Sequence, residues 1–233
     1  MAYGFGKGRL VILIKNPSLM KITNLLLLLF FPILSFSQVT DHEGKTYKTV
    51  KIGNQTWMAE NLSIATFKNG EEIYLTEDEE EWFVSGLDEL AALAEFEQET
   101  SEGRKYIRFY NYFVLTDPRG IVPDGWRIPT DEDWRILAQT LGGEAAATPK
   151  LKSTAGWWTE EENGTNESGF NALPLGMVTD EGEFLSWNEG AYFWSIDLDG
   201  DFAINRSLTE NRFAFEKASS FKSNGLAIRL IKN

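Results

Sequence analysis

The chain has 233 residues, 42% of them hydrophobic and 13% aromatic, which is ample apolar material for one well-packed domain and little for two. Acids outnumber bases by 35 to 22, for a formal charge of −13 with no run of basic residues, and this excludes a phosphate-backbone partner such as nucleic acid. The absence of cysteine excludes a disulfide framework, a thiolate metal site, a cysteine nucleophile and attachment through a lipidated cysteine.

Residues 1–19 carry Lys7, Arg9 and Lys15 but no folded pattern, and Met20 is an alternative start. Met20-Lys21 leads into the unbroken apolar stretch 25–31, then Pro32, then small side chains at Ser35 and Ser37 ahead of Gln38. This is the order of a secretory signal peptide, with cleavage expected after Ser37. Its apolar core is far shorter than the roughly 20 residues that span a bilayer. The expected product is a single domain over 38–233, secreted or held at the cell surface, with no membrane span and not a lipoprotein. It is more acidic than the full chain, because residues 1–37 contain bases and no acids.

A turn at 41–44 opens the domain, Val50 and Ile52 alternate with Lys51, and Gly53-Asn54 makes a hairpin turn into the strand 55–58. The acids 77–81 then precede Trp82 and Phe83. Leu87, Leu90, Ala91, Ala94 and Phe96 follow at helical spacing, which predicts one helix reaching residue 96. Five successive acids cannot converge on one ion, whereas they suit the positive end of a helix. Residues 95–104 read as a polar connection to an aromatic strand over 106–114.

In the stretch 123–134, Asp124-Gly125 is a turn, Pro129 keeps Ile128 out of a helix, and Thr130 is the N-cap of a helix. Asp131, Glu132 and Asp133 fill its first turn, Trp134, Leu137, Ala138 and Leu141 form its apolar stripe, and Gly142-Gly143 ends it. Trp126 and Trp134 are expected to brace this helix. Further on, Trp157 and Trp158 are adjacent, and successive strand side chains point to opposite faces, so one ring is a candidate for the surface. Residues 170–194 read as a meander with a strand at 176–178, a turn at 180–182 and a return over 184–187.

The sequence Trp187-Asn188-Glu189 approaches the Trp-Asn-Asp triplet with which sugar-binding C-type lectins hold calcium. Glu189 replaces the Asp, and no Glu-Pro-Asn or Gln-Pro-Asp completes the ligand set, so no metal is expected here. The acidic run 197–201 lacks the register of a calcium loop and reads as a polar hairpin tip. A second hairpin is expected from 203–208 and 212–215 around Thr209-Glu210-Asn211. Leu226, Ile228 and Leu230 then alternate with Ala227, Arg229 and Ile231 in a closing strand.

The run 49–62, the blocks 110–114, 117–120, 125–134 and 166–174, and Tyr192-Phe193-Trp194-Ser195 are together similar, in the same order, to the Fibrobacter succinogenes major paralogous domain. The resemblance covers nearly all of residues 45–232. It implies an α+β, C-type-lectin-like fold: small antiparallel sheets flanked by two helices, long loops, and first and last strands close together. Many members of the family carry a cysteine in the last strand where this chain has Leu230. No common catalytic residue comes with the resemblance.

For catalysis, the single His42 cannot build a Ser-His dyad or a histidine metal site, and no catalytic residue or cofactor is expected. The reading is a secreted, non-catalytic recognition module for an extracellular glycan or protein. Its candidate binding residues are Trp157, Trp158, Trp187, Asn188 and Tyr192, since exposed aromatic rings give much contact area at little entropic cost. The alternatives are a component of an extracellular assembly and a glycan hydrolase built on two carboxylates.

Overall fold

The computed structural model describes residues 37–100, 103–209 and 214–233. Apart from Ser37, the expected signal peptide lies outside these residues, as do Glu210 and Asn211 of the expected turn. The described residues form a mixed α/β structure of several small, mainly antiparallel sheets with four α-helices.

The first sheet joins the two ends of the described chain. β1 (Ser37–Thr40), β2 (Thr46–Ile52) and β3 (Gln55–Met58) pair antiparallel, the last two through the expected Gly53-Asn54 turn. Trp57 of β3 also pairs with Ile231 in the closing strand, which continues the sheet to residues 126–127. Backbone donors of Met58 and Leu62 reach the carbonyls of Leu230 and Ile228.

β4 (Tyr74–Leu75) precedes α1 (Glu79–Leu87), which is capped by Asp78 accepting from the Glu81 N–H at 2.9 Å. The helix expected to reach residue 96 stops at Leu87. The Asp88 N–H bonds to Val84 and the Leu90 N–H to Ser85, while Glu89 takes a left-handed φ of 52°. Residues 92–100 are β5 (Ala92–Thr100), which pairs with β6 (Gly103–Tyr110). The expected polar connection and aromatic strand are therefore two strands of one hairpin. The aromatic strand ends at Tyr110, and α2 (Tyr112–Thr116) follows. Asn111 is buried between them, its amide bonded to Ala92 and Leu90.

β7 (Trp126–Arg127) and α3 (Asp131–Thr140) follow the expected pattern. The Thr130 N–H donates to Asp133 Oδ2 at 2.7 Å and the Asp133 N–H returns a bond to Thr130 Oγ1 at 3.2 Å, a reciprocal cap. Trp134 is buried against Trp57, Phe170, Phe193 and Phe215, while Trp126 is half-buried against a separate core cluster. α4 (Glu144–Leu151) starts after Gly143 and was not anticipated, so four helices stand where two were expected.

β8 (Met177–Val178) and β9 (Phe184–Leu185) form the anticipated small hairpin. β10 (Gly190–Asp199), β11 (Phe202–Thr209) and β12 (Glu216–Ser220) make a three-stranded sheet. The 197–201 run is its hairpin tip. Of the expected strand 212–215, Arg212 and Phe213 lie outside the described residues, and Ala214 and Phe215 precede the returning strand, which begins at Glu216.

In the closing segment, regular strand is confined to β13 (Ile231–Lys232). Residues 226–231 are all buried, with Leu226, Ile228 and Leu230 in one cluster and Ala227 and Ile231 in another. Arg229 is consequently a buried cation. Its guanidinium donates to Asn61 Oδ1 at 2.6 Å and to the carbonyls of Met58, Phe170 and Asn171, under the rings of Phe170 and Phe193. Burial pushes it down to about 9.

Candidate functional site

The two adjacent tryptophans separate. Trp157 is buried in the core, its Nε1 donating to Ser153 Oγ at 3.1 Å and its ring 3.8 Å from Lys152 Nζ. Trp158 is 64% exposed. They lie in an irregular segment instead of a strand, yet one ring points in and the other out.

Trp187, Asn188 and Tyr192 belong to one turn. After β9 the chain reverses through Ser186 and Asn188, both left-handed with φ of 60° and 65°, and Trp187 sits between them. Asn tolerates this region, whereas Ser186 has no such freedom, so the surrounding contacts must hold the conformation there. The Asn188 N–H donates to Pro174 O at 2.9 Å, and the Glu189 and Gly190 N–H groups both reach Ser186 O. Gly176 lies against this turn so closely that a Cβ would sit 2.2 Å from Leu185 O and 3.1 Å from Trp187 N. Tyr192 stacks over Gly190, its hydroxyl 3.4 Å from Ser186 Oγ, and is half-buried against the core.

Trp187 is half-buried and is the outermost ring of an aromatic row. Its centroid is 5.8 Å from Phe184, which stacks on Phe96 at 4.3 Å, and Phe96 meets the buried Phe109 edge-on at 5.8 Å. Phe96, Phe184 and Trp82 also line a cleft of about 200 Å³ whose polar wall is Glu77, Asp78, Glu79 and Glu95. Pro174 connects this region to the exposed tryptophan, since a Cβ added to Gly156, two residues before Trp158, would sit 3.7 Å from its ring. The structure thus brings Trp187, Asn188 and Tyr192 together, sets the loop of Trp158 beside the same proline, and leaves Trp157 in the core.

A half-exposed indole flanked by a hydroxyl, an amide and a carboxylate can stack on an apolar face and bond to polar groups around it. The sequence did not mark Phe96 and Phe184 as its support. Phe96 was placed on a helix, and their pairing joins strands 88 residues apart in number, which no local pattern reveals. The model of the Fibrobacter succinogenes major domain matches residues 50–232. The chain belongs to this family. No curated protein and no solved structure matches it.

Elsewhere in this family member, other polar groups serve the fold. His42 Nε2 bonds to Thr66 O at 2.9 Å, and Asp197 Oδ2 accepts from the Asp131 N–H at the first turn of α3. Asp131 itself pairs with Arg206 at 2.6 Å and Lys217 at 3.0 Å. Among the described residues no three His, Cys, Asp or Glu side chains gather to hold a metal, and no helix is long and apolar enough to cross a membrane.

Proposed function

We propose that this domain is an exported, non-catalytic recognition module with a C-type-lectin-like arrangement, which binds an extracellular glycan or protein through the Trp187 ledge. The observation that carries the reading is the turn itself. Two non-glycine residues are held left-handed on either side of a half-exposed indole that rests on a fixed aromatic row. A backbone outlier such as Ser186 persists where the surroundings over-determine it, and such positions cluster at ligand-binding sites. Export is supported by the signal-like segment 20–37, and the lectin-like arrangement by the pairing of Trp57 with Ile231 near the two ends of the domain.

The test is retention of the protein on immobilised glycans and extracellular proteins, comparing Trp187→Ala and Trp158→Ala with the parent. Loss with Trp187→Ala at unchanged melting temperature supports the ledge. Release of cleaved sugar from a bound glycan would instead establish the hydrolase alternative. A second reading, a component of an extracellular assembly, is favoured by Leu198, Phe202 and Phe221, exposed near the tip of the β10–β11 hairpin, where the two Phe rings lie 5.3 Å apart.

A further inference from the structure

α1 carries large apolar side chains on opposite faces. Trp82 is buried, its Nε1 donating to Thr179 O, and Ser85 is buried beside it. Phe83, Val84 and Leu87 face outward with 43%, 46% and 68% of their surface exposed. Their spacing sets them along one stripe of the helix. Just beyond the helix Leu90 is also exposed, and with Tyr74, Leu75 and Leu93 it lines a cleft of about 620 Å³. Scattered surface hydrophobics are ordinary, but an exposed row on one helix face with a partly apolar cleft just beyond the helix end marks a contact surface.

The charge around this surface selects its occupant. Glu77, Glu79, Glu80 and Glu81 stand at one end of the stripe, Asp88 and Glu89 at the other, and Glu72 in the cleft wall; α1 has no basic residue. Both cations of the cleft are bound internally. Arg108 pairs with Glu95 at 2.6 Å and donates to Ser63 O, while Arg119 pairs with Asp117 at 2.7 Å and Glu71 at 3.0 Å over the Phe67 ring. A second copy of this acidic chain would set carboxylate against carboxylate.

We propose that the α1 stripe and the adjoining cleft dock a basic amphipathic segment of a partner protein. Its apolar residues seat on Phe83, Val84, Leu87 and Leu90, and its Lys or Arg side chains face the acidic rim. None of the apolar docking residues belongs to the Phe96–Phe184–Trp187 row, although Glu77 and Glu79 of the rim also wall the cleft beside that row.

The test uses the full protein and a labelled synthetic peptide with Leu along one helical face and Lys elsewhere. Its controls are a peptide of the same composition with the leucines scattered, and one with Glu in place of Lys. Fluorescence anisotropy is expected to show binding of the first peptide alone, weakened about tenfold or more by the double variant Phe83→Ser/Leu87→Ser and by Glu80→Lys. Both variants alter exposed side chains, so each is expected to stay folded, with Glu80→Lys melting slightly below the parent because it removes a first-turn acid of α1. No binding, equal binding of the scattered or Glu peptide, or undiminished binding by the double variant overturns the proposal. So does sedimentation that reveals a dimer abolished by Leu87→Ser, which would make a second copy the occupant.

Discussion

Trp187 rests on Phe184 with ring centroids 5.8 Å apart, and the backbone on either side of Trp187 is left-handed. The indole is therefore positioned by a turn as well as by packing. The position of that turn depends on Gly176, a residue that touches no ligand in this account. Gly176→Ala would drive a Cβ into Leu185 O, in a backbone with φ of 76°. Binding through the ledge is expected to fall about as far as with Trp187→Ala although no ring is removed, accompanied by a loss of about 1–3 kcal/mol in stability. Ligand titration together with denaturant unfolding checks both.

The paired tryptophans predict opposite outcomes. Trp157→Ala empties a core position and is expected to cost about 3–5 kcal/mol. Trp158→Ala changes an exposed ring and is expected to stay within about 0.5 kcal/mol. Thermal melts of the two variants read the difference directly.

Arg229 ties the end of β3 and Asn61 to the closing segment and to residues 170–171. Arg229→Leu keeps the bulk but leaves the Met58, Phe170 and Asn171 carbonyls without their donor, at about 1–3 kcal/mol for each buried group. The melting temperature is expected to fall by at least about 6 °C, since each kcal/mol shifts a domain of this size by about 2–4 °C. Differential scanning calorimetry measures it.

Features fixed by neighbouring residues were legible in the sequence, and those fixed by tertiary packing were not. The Thr130 cap, the β2–β3 hairpin and the β8–β9 hairpin were legible because each is fixed by neighbouring residues. The end of α1 was not, because its left-handed position is filled by Glu89, where a glycine would have signalled the stop. The run 91–94 is buried throughout, and a strand covered on both faces has no two-residue alternation to distinguish it from a helix. The ledge was half legible. Trp187, Asn188 and Tyr192 were marked by residue type, while Phe96 reaches Phe184 beneath them only through tertiary packing.

Acid sensitivity follows from the first turn of α3. Burial alone would raise Asp131 and Asp133, but hydrogen bonds from Arg206 and Lys217 to the first, and from Arg127 and Thr130 to the second, hold both below the ordinary 3.8. A folded-state value below the unfolded one stabilises the fold fully above the unfolded value, and the contribution is lost as pH falls through the folded one. The melting temperature is thus expected to hold from pH 7 to about 5 and to drop below about 4. Arg127→Met should make the acid limb shallower, and a pH series of melts on both proteins checks the sign.

The central claim is that the Trp187 turn binds an extracellular ligand without the calcium ion of sugar-binding C-type lectins. The most direct measurement is a glycan array probed with the parent protein and Trp187→Ala, each with calcium and with a chelator. The account predicts a glycan signal that chelation leaves unchanged and that Trp187→Ala lowers about tenfold or more. A signal that Trp187→Ala leaves intact, or one that chelation abolishes, would contradict it.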